Sequence, residues 1–418
     1  MQFIGIDFGT SNSLAALARA DKIEFVNYPD GQSSNPTILY FPAKSKQHFI
    51  GNDEVYRYLE HLEESHESAG RLMLSIKTLL PEANFDYTTV VGFGNQTAAD
   101  LAARFLGVLK QYAEKQFATR FDGVVLGRPV NFSPLALERL RSAAEQVGFK
   151  EVVFWLEPVA AALAHEMRTT EDELVCVVDL GGGTSDICII ETSPSRSLRA
   201  DREADIKAVS GVGQAGDELN SRIMRQRLAP KFGAGSTFTS LGKEMPFPVH
   251  LIERISRWHR ISLLKNSRDI GDILQISRSS DRPEDVNRLL GLIKNHYGFE
   301  LFQAIDSAKK QLSAESRAFV KFRPLDLNEE ILLEEFESLI APVSAKIEEA
   351  INESLTLASV KPEAVGRVLL TGGTSQIPML NEMVGRIFGE DKIIRPDYFS
   401  SVATGLGYVA SRFNKKRS

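Results

Sequence analysis

Asp7-Phe8-Gly9-Thr10-Ser11-Asn12-Ser13 follows directly on the apolar run Phe3-Ile4-Gly5-Ile6. Asp179-Leu180-Gly181-Gly182-Gly183-Thr184-Ser185-Asp186 follows in the same way on Leu174-Val175-Cys176-Val177-Val178. In each stretch an apolar strand ends in Asp and a glycine turn rich in hydroxyl residues comes next. A second apolar strand then leaves, over residues 14–17 and 187–190. The pattern predicts two β-hairpins whose tips present backbone N–H groups and hydroxyls, with a carboxylate at the base of each. Nests of N–H groups bind phosphate oxygens, and carboxylates can hold the hydrated Mg²⁺ that accompanies them. One such loop alone reads just as well as a tight turn. Two related copies, one in each half of the chain, predict facing hairpins that clamp a nucleotide between two lobes.

A chain of 418 residues is long for a single core, so two or three domains or lobes are expected. The net charge of −6 argues against general nucleic-acid binding, which leaves a basic footprint. The basic Lys415-Lys416-Arg417 reads as a solvated chain end. No apolar run is long enough to span a bilayer, and the N-terminus enters a strand carrying Asp7 instead of a signal-peptide pattern. A cytoplasmic protein without nucleic-acid or membrane partners is the expectation. The two cysteines, Cys176 and Cys188, flank the second loop. The hairpin leaves room for them to lie near each other, and they read as buried free thiols.

Strands and helices alternate, so the class is α/β. An acidic amphipathic helix is predicted over 53–68 and another helix over 98–117. A strand at 123–127 leads to a helix with Ser133 as N-cap, Pro134 as first residue and Gly148 as stop. Its expected core stripe is Leu137, Leu140, Ala144 and Val147. A strand at 152–156 runs into Glu157-Pro158-Val159-Ala160-Ala161-Ala162-Leu163, where Pro opens a helix whose alanines let another backbone approach closely. Residues 169–173 are the expected lobe boundary. Residues 229–295 read as a variable subdomain, with the basic segment 254–260 as a solvated face. The helix predicted at 299–314 has a core stripe of Leu301, Ile305, Ala308 and Leu312. Its second stripe, Asp306, Lys309 and Ser313, fits an exposed face and a binding face equally. A helix over 333–357 follows, then a strand over 367–370 ending in Thr371-Gly372-Gly373-Thr374 before a helix over 377–388. Glycines there let a ligand approach backbone N–H groups at a helix start. Asp397 and a small-residue helix over 400–413 close the pattern.

These pieces, in this order, resemble the ATPase domain shared by the seventy-kilodalton heat-shock chaperones of the DnaK type, actin and sugar kinases. The heat-shock branch fits best. Its first phosphate loop is matched by Ile4-Gly5-Ile6-Asp7-Phe8-Gly9-Thr10-Ser11-Asn12-Ser13, and its lysine segment by Ser75-Ile76-Lys77-Thr78-Leu79-Leu80. Its connecting helix is matched by the segment from Glu157 to Leu163, its second loop by that from Asp179 to Asp186, and its late glycine pair by Gly372-Gly373. The segments Gly127-Arg128-Pro129-Val130-Asn131-Phe132 and Gly148-Phe149-Lys150-Glu151-Val152-Val153-Phe154 look like the YegD-type branch. The resemblance implies a two-lobed actin-like ATPase fold, with duplicated ribonuclease H-like lobes and the nucleotide cleft between them. Lobe I would cover 1–172, with a peripheral subdomain at about 40–115 and the helix at 397–418 packed back on it. Lobe II would cover 173–396, with a peripheral subdomain at about 229–298, and no peptide-binding domain is expected.

The resemblance also implies roles. Asp7 and Asp179 hold the water shell of Mg²⁺, and Glu157 completes that environment. Gly9, Thr10, Ser11 and Asn12, with Gly181, Gly182, Gly183 and Thr184, wrap the phosphates. Lys77 meets the γ-phosphate and places the attacking water, Thr184 touches the γ-phosphoryl oxygens, and Asp186 assists the water or a monovalent cation such as K⁺. Gly216, Asp306, Lys309, Lys310, Ser313, Gly372, Gly373, Gln376 and Asp397 surround the nucleoside. The implied function is Mg²⁺-ATP binding with slow hydrolysis to ADP and phosphate driving lobe closure, read by a protein client, co-chaperone or exchange factor. Gln376 stands where the family has an arginine stacked on adenine, a loss worth about 0.5–2 kcal/mol. Asp306 is shorter than the family's glutamate. The competing classes are an actin-like filament protein, a small-molecule kinase using the same cleft, and a nucleotide sensor that does not hydrolyse ATP.

Overall fold

The computed structural model describes residues 1–19, 22–43, 45–51, 53–64, 70–83, 90–91, 94–199, 202–257, 261, 264, 267–295, 297–396 and 400–415. The chain is mixed α/β and divides into two compact units. The first comprises Met1–Gly216, Lys346–Ser375 and Leu380–Ser418; the second comprises Asp217–Ala345 and Gln376–Met379.

Two sheets organise the first unit. Both predicted hairpins are present: Phe3–Phe8 pairs antiparallel with Asn12–Arg19, and Glu173–Leu180 with Ser185–Thr192. Outside the first hairpin, Gly123–Arg128 adds parallel to Phe3–Phe8 and Glu151–Leu156 adds parallel beyond it. Outside the second, Arg367–Thr371 adds parallel to Glu173–Leu180, while Ile206–Val212 pairs with the other arm. Central strands buried on both faces explain the continuous apolar runs in the sequence. The two cysteines sit on neighbouring rungs of the second hairpin. Val177 stands opposite Cys188 and Ile189 opposite Cys176, so the two thiols point to opposite faces of the sheet. Both are free and fully buried, and burial pushes the Cys176 thiol up to about 12.

Local signals set the helices against the first sheet. Thr97 and Asp100 form a reciprocal capping box at the start of Ala98–Phe117. Most of that helix falls within the expected peripheral subdomain of residues 40–115, yet its Leu101, Phe105 and Leu109 share a core with Ile4, Ile6 and Phe8. Ser133 caps Pro134–Gln146 by accepting from the Ala136 N–H. That helix ends in a Schellman turn: Gly148, at φ 86°, donates to Glu145 and Phe149 donates to Ala144. Its buried stripe is Ala136, Leu140, Ala143 and Ala144, with Leu137 only partly buried. The stripe is therefore rotated toward the small alanines, which let the helix sit closer to its neighbours than leucines would.

A helix pair joins the two sheets. Glu157–Glu166 and Ser401–Lys415 share one core with Phe3 and Val125 of the first sheet and Val175, Val177 and Leu369 of the second. The expected close approach at the alanines occurs: a Cβ on Gly405 would lie 1.8 Å from the Ala160 carbonyl oxygen. On the other side, a Cβ on Gly5 would lie 2.4 Å from the Gly407 nitrogen. Phe413 stacks on Phe3 at 4.9 Å, and the Asn414 side chain exchanges hydrogen bonds with the Phe3 backbone.

The second unit contains the segment expected to be a variable subdomain. It holds a hairpin of Thr237–Ser240 with Lys243–Pro246 and the helices Val249–Ile255, Ser267–Ser279 and Pro283–Lys294. Arg254, expected on a solvated face, is partly exposed and bonds Asp269 at 2.8 Å; residues 258–260 lie outside the described residues. Gly298–Gln311 buries Leu301, Ile305 and Ala308 as expected. It ends before Ser313, which sits in the following turn, its N–H donating to Lys310.

The helix contact yields a stability prediction. Gly405→Ala places a methyl against fixed backbone and should lower the unfolding free energy by about 1–3 kcal/mol, read as an earlier urea midpoint. Gly213→Ala, where a Cβ meets nothing within 4 Å, is the control and should leave the midpoint nearly unchanged.

Candidate functional site

The two glycine loops meet tip to tip within the first unit. A Cβ on Gly182 would lie 2.3 Å from Ser11 Oγ, and one on Gly183 would lie 2.8 Å from Thr10 Oγ1. Only glycine leaves room for the hydroxyls of one loop against the backbone of the other. Gly9 is equally constrained, since a Cβ there would lie 2.0 Å from the Asn12 carbonyl oxygen. In the second loop the Gly181 N–H donates to Thr184 O at 3.0 Å. The Gly181 carbonyl accepts from the Gly216 N–H at 3.3 Å and from the Thr374 hydroxyl at 2.7 Å. Gly372, at φ 80°, passes so close to the second loop that a Cβ would lie 2.3 Å from Leu180 O and 2.8 Å from Asp179 Oδ1. Gly373 follows it as the first residue of a short 3₁₀ turn.

Charge concentrates beneath the loops. Lys77 is 4% exposed, and its Nζ lies 2.5 Å from Glu157 Oε1. Burial disfavours the ammonium, but Glu157 and then Asp7 outweigh burial and hold its proton more tightly than usual. Burial pushes the Asp7 and Asp186 carboxyls up to about 7, and in both cases the charge of Glu157 adds to the effect. Asp179 is raised well above the ordinary range by burial, then by Glu157, Asp186 and Asp7. Asp186 also accepts from the Val130 N–H at 2.6 Å and bonds Thr184. Four carboxylates thus surround one lysine in a site that favours shedding negative charge.

That excess is the test for a cation. Among the described residues, no three His, Cys, Asp or Glu side chains stand where they could ligate a metal directly. The carboxylates fit a hydrated ion held through its water shell, which hard divalent Mg²⁺ keeps readily.

Asp306, Lys309, Lys310, Ser313 and Gln376 fall in the second unit. Lys309 is buried and its Nζ lies 2.7 Å from Asp306 Oδ1; Lys310 Nζ lies 2.8 Å from Asp306 Oδ2. Burial opposes the Asp306 charge, but Lys309 and Lys310 outweigh it and hold that carboxyl well below the ordinary carboxylate range. Asn220 Nδ2 donates to Asp306 at 3.3 Å. Ser313 lies past the helix end and Gln376 closes the short 3₁₀ turn that starts at Gly373. Asp397 lies outside the described residues. Thr374 and Val130 were missed by sequence reasoning. Thr374 follows the glycine pair and its hydroxyl was a legible donor, whereas the Val130 contribution is a backbone N–H that no side-chain pattern announces.

Asp217 in the second unit gives a pH prediction. Burial and then Asp306 raise its carboxyl to about 6, against a pull from Lys309. Its protonated form is the one the fold favours. That contribution is complete below about pH 4 and is lost as pH rises through about 6. Asp217→Asn, which stays neutral, should gain stability over the wild type between pH 5 and 7.5, by about 1–2 kcal/mol given partial exposure. Thermal unfolding at the two pH values reads the difference.

Comparison with known proteins gives a consistent answer. The sequence profile of the family described as Hsp70 protein matches residues 3–196 and 294–411. The chain is 24% identical over 419 residues to the chaperone protein DnaK of Thermosipho africanus (strain TCF52B), covering 98% of this chain and 58% of that protein. It is also 24% identical over 426 residues to the chaperone protein HscA homolog of Haemophilus influenzae (strain 86-028NP), covering 97% of this chain and 57% of that protein. The chain therefore spans somewhat more than half the length of these curated relatives. With a family profile matching most of its length, on an α/β scaffold with two facing glycine hairpins, the chain belongs to the Hsp70 family.

Proposed function

We propose that the chain binds Mg²⁺-ATP at its paired loops and hydrolyses it slowly to ADP and phosphate. The observation that carries this reading is the cluster of Asp7, Glu157, Asp179 and Asp186 around Lys77, directly below two loops whose tips face each other. A bare carboxylate cluster of this kind is costly, and a bound cation with phosphates above it relieves the cost.

Backbone N–H groups and hydroxyls of Gly9, Thr10, Ser11 and Asn12, and of Gly181 to Thr184, hold the phosphate oxygens. Asp7 and Asp179 hold the water shell of the ion, with Glu157 behind them. A bound Mg²⁺ supplies neutralisation of phosphate charge. Lys77, fixed by Glu157, faces the terminal phosphoryl group and orients the attacking water. Asp186, poised near neutral pH and pinned by the Val130 N–H, accepts a proton from that water or holds a K⁺ beside it. Catalysis of this type is positioning plus electrostatics. Gly216, Asp306, Lys309, Lys310, Ser313, Gly372, Gly373, Gln376 and Asp397 are proposed for the nucleoside because they match the family pattern. The lobes at 1–172 and 173–396 are proposed to report the nucleotide state by closure to a client, co-chaperone or exchange factor; one of the two large sheets falls within each span.

Single-turnover hydrolysis of Mg²⁺-ATP tests the reading. The wild type should turn over slowly. Lys77→Ala should retain nucleotide and slow the chemistry by about 10²–10³-fold, by analogy with loss of one preorganised donor at a developing charge. Saturable binding without any turnover would leave a sensor and remove the enzyme.

A further inference from the structure

Thr37 lies outside both loops and outside every role assigned so far. It is 1% exposed, and it follows the two-residue strand Asn35–Pro36, which pairs with the outgoing arm of the first hairpin at Asn12 and Ser13. Its backbone N–H donates to the Ser11 carbonyl at 2.8 Å, on the outgoing side of the turn. Its hydroxyl donates to the Gly9 carbonyl at 2.8 Å, on the incoming side. The same hydroxyl lies 2.7 Å from Ser13 Oγ, and Ser13 is fully buried.

Proton counting fixes the direction of this chain. A threonine hydroxyl has one proton, and a carbonyl can only accept. With that proton given to Gly9 O, the bond to Ser13 must run from the Ser13 hydroxyl to Thr37 Oγ1. The order is Ser13 O–H to Thr37 O–H to Gly9 C=O, a relay in which each bond polarises the next. The Ser13 carbonyl in turn accepts from the Tyr28 hydroxyl at 3.4 Å. One side chain therefore joins both arms of the hairpin tip, and the spacing between those arms decides where the N–H groups of Thr10, Ser11 and Asn12 aim.

We propose that Thr37 is a positioning residue for the phosphate site: its hydroxyl fixes the aperture of the first loop and so the affinity for the phosphate chain of the nucleotide. The inference rests on the nucleotide reading above. It adds a residue that reaches the ligand only through the loop it braces.

The test compares the full chain with Thr37→Val, which keeps the shape and loses the hydroxyl, Thr37→Ser, which keeps the hydroxyl, and Ser13→Ala. Affinities for ATP, ADP and adenosine are measured with Mg²⁺, alongside amide hydrogen exchange of residues 9–12. Thr37→Val should weaken ATP and ADP by about ten-fold, leave adenosine unchanged and speed exchange at the loop amides. Thr37→Ser should recover most of the affinity. Ser13→Ala, which spares the Thr37–Gly9 bond, should fall between, and it keeps the proposal testable if Thr37→Val does not fold. Equal weakening of all three ligands, or unchanged affinities with unchanged exchange, overturns the proposal. A wild type that binds no ATP overturns the nucleotide reading instead. In that case loop exchange alone decides the brace: faster exchange in Thr37→Val upholds it, and unchanged exchange sinks it.

Discussion

The approach of Gly405 to the Ala160 carbonyl is the constraint on which the rest of the first unit depends. Two helices can cross this closely only where one presents no side chain and the other no more than a methyl, and here they do so inside a core that belongs to both sheets. The position of Glu157–Glu166 follows from that packing. Its first residue carries the carboxylate that grips Lys77, and its last, Glu166, is buried against Arg202. Arg202 also reaches Asp205, and the Ser193 N–H donates to Glu166. Buried ion pairs contribute little net stability, but breaking one is costly, so the far end of the helix is held in one arrangement. A helix fixed at both ends and along its flank delivers Glu157 to a defined point below the loops.

From that point the electrostatics follow. Glu157 contributes to raising all three neighbouring aspartates while it stabilises the lysine ammonium. A preorganised site of this kind suits phosphoryl chemistry, where little covalent work is needed and charge placement does most of it. Glycines 182 and 183 let the loops meet, Gly9 lets the first loop turn, and hydrogen bonds from Thr37 and Thr374 hold the loops.

Much of this was legible because it is local. An apolar strand, an Asp, a glycine turn and a second apolar strand dictate a hairpin wherever they occur, and both hairpins formed. Ser133, Pro134 and Gly148 bounded their helix through side-chain and backbone chemistry confined to a few residues. The alanines after Pro158 announced a close neighbour without naming Gly405. What stayed hidden depends on distant partners. Periodicity alone put Leu137 on the buried stripe, but the real face turns toward Ala136 and Ala143 because small residues admit closer packing. Spacing put the cysteines near each other across the hairpin, but only strand register shows that they point to opposite faces. The Thr37 and Val130 contacts join elements far apart in the chain, and no window of sequence contains both partners.

Central to the proposed function is a carboxylate cluster that holds a cation together with nucleotide phosphates. Titration calorimetry of ATP into the 418-residue chain, with Mg²⁺ and again with chelator, tests it most directly. Saturable binding that weakens at least about ten-fold without Mg²⁺ is the predicted result, because the bare carboxylates then repel the phosphates. Equal affinity with and without the ion, or no binding in either case, would contradict the account.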